Sequence, residues 1–128
     1  MWFNNGDGTF SASQLYLGSA WSREVVLGDV DGDGDEDAYI ANGTTFALAD
    51  ELWIYNGSGK FTAAGQNLDL EWNEGAALGD LDKDGDLDLF LAAWFGADSV
   101  WINQGGKRGG NAGVATASGW IAEQTSLI

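Results

Sequence analysis

The 128-residue chain has no cysteine and no histidine, and it carries only five basic side chains against twenty acidic ones. Without a thiol or an imidazole it cannot form a disulfide, a thiolate nucleophile or a Ser-His dyad. It also lacks the usual nitrogen and sulfur ligands of zinc and copper. Any metal it holds must be held by oxygen. The net charge of -15 disfavours nucleic acid and anionic membrane surfaces as partners and makes cations the natural counterpart. No run of about 18 apolar residues exists, so no segment is expected to insert into a membrane. Met1 leads straight into "WFNNGDGTF", with neither a charged n-region nor an apolar h-region of a secretion signal. What the chain does contain, 45% hydrophobic and 12% aromatic residues, is enough for one folded domain with a modest core.

The acidic residues are concentrated. Eleven of the twenty lie in "DVDGDGDED" (residues 29–37) and "DLDKDGDLD" (residues 80–88). Both stretches place Asp at the first, third, fifth, seventh and ninth positions and Gly at the sixth. A solvated acidic face would not repeat such a spacing. Without a counter-charge, side chains this dense would force the turn open.

The loops belong to a longer repeat. "WFNNGDGTF" at residue 2 returns as "WIYNGSGKF" at 53 and weakly as "WINQGGKRGG" at 101, while "LGDVDGDGDED" at 27 returns as "LGDLDKDGDLD" at 78. Trp2 and Trp21, Trp53 and Trp72, and Trp101 and Trp120 form three pairs, each nineteen positions apart. A period near fifty residues suits a four-stranded unit of a solenoid, propeller or array. The apolar runs within it, such as "REVVLG", "DAYIANG" and "ELWIYNG", are short, rich in β-branched and aromatic residues, and bounded by Gly, Asn and Asp. Asn5-Gly6 and Asn56-Gly57 mark turns between a third and a fourth strand. The reading is all-β, with about two and a half four-stranded blades of β-propeller type. Residues 1–17 form a half blade, 23–69 and 74–120 two full blades, and 121–128 a tail that is a strand or disordered, falling where the next first strand should begin.

Carboxylates on alternate residues of a turning loop can converge on one hard cation, which takes six to eight oxygens. The first loop offers side-chain oxygens from Asp29, Asp31, Asp33 and Asp37 and the backbone carbonyl of Asp35. The second offers Asp80, Asp82, Asp84 and Asp88 and the carbonyl of Asp86. Gly34 and Gly85 permit the sharp turn. Calcium suits these two sites better than magnesium, which keeps several waters of its own. An EF-hand-type loop begins similarly, but its twelfth position calls for Glu, and Ile40 and Leu91 stand there. The remaining alternative is a solvated loop without metal.

With its acidic loop between two strand patterns, "VVLGDVDGDGDEDAYIANG…ELWIYNGSGKF" and its second copy "AALGDLDKDGDLDLFLAAW…SVWINQGGK" resemble the FG-GAP/VCBS repeats of integrin-α-like β-propellers. The resemblance covers roughly residues 1–105. It implies that each repeat is a propeller blade and that the D-x-D-x-D-G-x-x-D loop between its first two strands binds calcium. The chain has fewer repeats than a closed propeller ring. That family includes adhesion receptors, bacterial surface proteins, lectin-like proteins and accessory modules of enzymes.

Three functions follow for comparison. The leading one is a non-enzymatic, calcium-stabilised adhesion or structural module, extracellular or at the cell surface. Its partners would be copies of itself in a ring or filament, neighbouring blades of a longer chain, or a surface protein. The alternative is a glycan-binding lectin, with Trp21, Trp72, Trp94 and Trp120 as exposed aromatics that stack on sugar. Trp2, Trp53 and Trp101 sit inside strand patterns and are expected to pack between blades. A glycosidase would need a carboxylate pair, but metal ligation already accounts for the acidic residues.

Overall fold

The computed structural model describes residues 1–43, 49–64 and 72–105, together with the backbone of 120–123. Among these residues the chain is built of antiparallel strands: β1 (Trp2–Asn4), β2 (Phe10–Ala12), β3 (Ser22–Gly28), β4 (Asp37–Asn42), β5 (Glu51–Tyr55), β6 (Phe61–Ala63), β7 (Asn73–Gly79), β8 (Asp88–Ala93), β9 (Ser99–Asn103) and β10 (Trp120–Glu123). They form a two-stranded sheet, β1-β2, and two four-stranded sheets, β3-β4-β5-β6 and β7-β8-β9-β10. Each sheet is a simple meander, the blade architecture expected from the repeat. The two full blades match down to their irregularities. A register shift between Ser22 and Glu24 in β3 recurs between Asn73 and Gly75 in β7.

The blades stack through their first two strands, with β7 against β3 and β4. Covered on both faces, β4 is buried along its whole length. This is why "DAYIAN" carries apolar residues in succession rather than in alternation. The core lies in this seam. Val30, Tyr39, Ala41 and Leu52 of the first full blade pack with Leu89 and Leu91 of the second, flanked by Ala76, Leu78 and Leu87. At the end of β3, Leu78 and Leu87 lie so close over Gly28 that a Cβ there would meet both. A side chain at this position would hold the blades apart.

Polar groups fasten the same seam. Asp50, 1% exposed, accepts hydrogen bonds from the Tyr39 hydroxyl, the Asn42 backbone N–H (2.7 Å) and Asn73 Nδ2 of the second full blade (2.6 Å). Asn103 Nδ2 donates across the seam to the Val30 carbonyl (2.8 Å). Among the described residues, none covers the outer face of the second full blade in this way. Leu81, the equivalent of Val30, is 53% exposed against 4%.

The end of the repeat differs from the sequence reading. Trp120 pairs with Asn103 and Glu123 with Val100, so residues 120–123 supply the fourth strand of the second full blade. The sequence placed Trp120 with Trp21 and Trp72, which precede first strands, and assigned 121–128 to a tail. A shared spacing of nineteen residues misled. In the earlier units the fourth strand follows a short turn, whereas sixteen residues (104–119) separate β9 from β10. Residues 124–128 lie outside the described residues.

Asp50→Ala should lower the free energy of unfolding by about 3 kcal/mol, because it strands several buried donors at once. Asp98 stands at the equivalent position of the second full blade, is exposed, and accepts the Ala93 N–H at 3.1 Å. Asp98→Ala should cost about 1 kcal/mol or less. Urea denaturation of both variants at fixed divalent-ion concentration provides the comparison.

Candidate metal centre

Each acidic loop joins the first strand of a full blade to its second, β3 to β4 and β7 to β8. Tight turning requires left-handed backbone at the fourth position and still more open geometry at the sixth. Gly34 and Gly85 meet the latter with φ of 95° and 97°, and the fourth-position residues Gly32 and Lys83 have φ of 77° and 65°. The two loops therefore fold alike despite the exchange of Gly for Lys.

Inside each loop the first Asp is held by the backbone it starts. Asp29 accepts N–H groups of Gly32 (2.8 Å), Asp33 (3.0 Å) and Gly34 (2.9 Å). Asp80 accepts those of Asp84 (3.1 Å) and Gly85 (3.2 Å). The ninth Asp closes the loop from below. Asp37 accepts from Val30 (3.0 Å) at the loop entrance and from Tyr55 (2.8 Å) on β5. Asp88 accepts from Leu81 (2.7 Å) and from Asn103 (2.8 Å) on β9. Both are almost wholly buried, at 1% and 0% exposure.

Carboxylate oxygens of Asp29, Asp31 and Asp37 lie within 4.8 Å of one another, and so do those of Asp80, Asp82 and Asp88. These are the candidates the loops bring together. Asp33 and Asp84 fall outside the two groups; each turns an oxygen back onto a backbone N–H two residues on, that of Asp35 or Asp86, at 2.9 Å. The side chains of Asp35 and Asp86 point to the turns after β5 and β9, where they fill the space that a Cβ on Gly57 or Gly105 would occupy. Their assigned contact was the backbone carbonyl, and that assignment leaves these side chains free to make the turn contact.

The clustered charges alter acidity. Asp31 is pushed up to about 6 by desolvation, then by the neighbouring Asp37. Asp37 is raised by burial, against the pull of the Tyr55 and Val30 N–H groups. Asp82 is raised by desolvation and by the charges of Asp84 and Asp88. An oxygen-only ligand set, already gathered and short of positive charge, fits a hard cation. Both Asp clusters could hold metal ions.

Among the aromatics named from sequence, Trp21 and Trp94 are 77% and 59% exposed. Trp72 is half-buried with its ring 6.3 Å from that of Phe95, which stands edge-on to Trp94 at 6.0 Å. The side chain of Trp120 lies outside the described residues. Trp2 departs from expectation at 67% exposure, because β1 has a strand on one side only, whereas Trp53, its half-buried equivalent, lies between β4 and β6. Sequence reading missed the Asp50 cluster. Its signal was present: Asp50 and Asp98 both stand three residues before a strand Trp, in "DELW" and "DSVW".

Meandering four-stranded blades, repeated in register and carrying an acidic loop between their first two strands, define a repeat protein of the open-propeller kind. A family model described as FG-GAP-like repeat matches residues 1–40 and 29–91, and the chain belongs to that family. Among curated proteins and solved structures, none matches the chain. No helix among the described residues is long and apolar enough to cross a membrane.

Because Asp31 is raised to about 6 in the folded state, with Asp37 and Asp82 shifted in the same direction, the metal-free folded chain holds a proton at Asp31 that the unfolded chain has released between about pH 4 and pH 6. Its stability therefore falls as pH rises through that window. In chelator, the midpoint of thermal unfolding should drop between pH 4.5 and 6.5. A divalent cation competes for the same oxygens, so saturating metal should flatten or reverse the slope. Scanning calorimetry under both conditions reads the sign directly.

Proposed function

We propose that this chain is a calcium-binding, non-enzymatic adhesion or structural module, acting outside the cell or at its surface. The observation that carries the reading is the recurrence of one carboxylate cluster, in one backbone geometry, at the same point of both full blades. Calcium accepts flexible six- to eight-fold oxygen coordination, and carbonyls or water can complete a shell that three carboxylates begin. Asp33, Asp35, Asp84 and Asp86 stay assigned as further ligands in this reading, through side chain or carbonyl. The ion's part is structural: positive charge between carboxylates that otherwise repel. Activity lies in surface contacts. The partners proposed are further copies of the chain, in a ring or filament through open strand edges, neighbouring blades of a longer chain, or a surface protein.

The exposed cluster of Trp94 and Phe95 beside Trp72 favours a second reading, a calcium-dependent glycan-binding module. Sugar rings stack on such faces while nearby amides and carboxylates take their hydroxyls. Trp94→Ala should abolish glycan-array signal in that case, and leave calcium binding untouched.

Titration calorimetry at neutral pH should detect two calcium ions per chain, with dissociation constants in the range of about 10⁻⁴ to 10⁻³ M typical of extracellular modules. Asp31→Ala and Asp82→Ala should each remove one. At a calcium concentration of about 100 times the dissociation constant, binding at one site adds about 2.7 kcal/mol to stability. Absence of heat at millimolar calcium would refute the reading.

A further inference from the structure

Two stretches of the chain, Asn42-Gly43-Thr44 at the end of β4 and Asn56-Gly57-Ser58 in the turn from β5 to β6, read N-x-[ST] without proline, the acceptor sequence for an N-linked glycan. The fold treats them differently. Asn42 is 1% exposed, its N–H is held by Asp50 (2.7 Å) and its Nδ2 donates to the Ala49 carbonyl (2.9 Å). A sugar chain on that nitrogen would break the polar cluster of the seam and hold the blades apart.

Asn56 is exposed. Its Oδ1 accepts the N–H groups of Ser58 (3.0 Å) and Lys60 (3.2 Å), and its Nδ2 has no hydrogen-bond partner among the described residues. The bond to Ser58, two residues on, closes an Asx-turn, which sets the carboxamide beside the residue that carries the hydroxyl. Asn5 shows that the turn itself does not demand this arrangement. It is the equivalent residue of the β1-β2 turn, and its N–H bonds to the Thr9 carbonyl as that of Asn56 bonds to Lys60. Yet Asn5 Nδ2 donates to Thr9 Oγ1 (2.9 Å), Asn5 Oδ1 accepts from Ser11 Oγ (2.9 Å), and Asp7 stands where Ser58 does. In the second full blade these positions are Gln104 and Gly106. Of the three repeats, only the first full blade combines the open amide with the hydroxyl.

We propose that Asn56 is a glycosylation site, with Nδ2 as the point of attachment and the Ser58 hydroxyl as the group that acceptor recognition requires. The inference rests on the extracellular reading above, because the donor, an oligosaccharide carried on a polyprenyl diphosphate, belongs to the secretory route. In the transfer a bond forms between Asn56 Nδ2 and the anomeric carbon of the first sugar, and the bond from that carbon to the diphosphate oxygen breaks. Nδ2 gives up one proton, and the lipid diphosphate leaves with the electron pair. The Asp35 carboxylate lies against Gly57, so the glycan stands at the acidic-loop end of the first full blade. Trp94 and Phe95 follow β8 at the end away from its loop, and the glycan leaves them uncovered.

The test translates the full chain behind a cleavable secretion leader into eukaryotic microsomes, and isolates the imported chains that resist limited proteolysis in millimolar calcium. That fraction should carry a single mass increment that peptide:N-glycosidase removes, and digestion in isotopically labelled water should place the label on residue 56 and not on residue 42. Ser58→Ala should lose the increment completely. This change keeps the Ser58 N–H that closes the turn, so the blade still folds. Ser58→Thr restores a hydroxyl and should keep the increment. A resistant fraction without glycan at Asn56, no resistant chain bearing one, glycan at Asn42 within that fraction, or an increment that survives Ser58→Ala overturns the proposal. Calcium titration of the unmodified chain reads the metal loops separately: calcium bound by a chain that takes no glycan would leave the module reading standing and remove this one.

Discussion

One buried carboxylate per blade ties the acidic loop to the sheet. Asp37 and Asp88 stand at the ninth loop position, where the chain enters the second strand, and each joins three pieces of backbone: the loop entrance, the second strand it begins and the third strand beyond. An ionised carboxylate in a buried site is penalised by several kcal/mol unless charge and hydrogen bonds compensate. Two backbone donors supply part of that compensation. A cation, which the same oxygen cluster could hold, would supply the rest. Loop closure, strand pairing and a candidate ion site thus meet at a single side chain.

The two full blades occupy different surroundings although their sequences run in parallel. In the first, the second full blade covers the trailing face, so Val30 is buried and Asp29 and Asp31 are half-buried. In the second, Leu81, Asp80 and Asp82 face solvent. Electrostatic interactions strengthen as water is excluded. The first loop therefore has both the larger repulsion to relieve and the firmer grip once it is relieved.

Much of this architecture was legible in the residues. Hydrophobic runs of four to six, Asn-Gly turns and a period near fifty pointed to strands and blades, because each of these signals is local. Spacing singled out all five alternating Asp of each loop for the same reason, without separating Asp29, Asp31 and Asp37 or their counterparts, which the fold gathers, from Asp33 and Asp84, which it does not. What escaped depended on contacts between repeats. Asp50 looks like an ordinary turn residue until Asn73, twenty-three positions later, is brought onto it by blade stacking. Trp2 matches Trp53 in every local respect and differs in what lies beside its strand. Trp120 kept the nineteen-residue spacing of Trp21 and Trp72, but β9 lacked a fourth strand and captured it.

The bond from Asn103 to the Val30 carbonyl has a mechanical meaning. It joins one blade to the next at the residue directly after Asp29, and the Asn103 N–H is in turn held by Asp88 of its own blade. Donor and acceptor are each tied to an acidic loop, the donor through Asp88 and the acceptor by its place in the first loop. If the loops take up calcium as proposed, ion occupancy would stiffen the two ends of this bond, in addition to the apolar seam and the Asp50–Asn73 bond that join the blades without it.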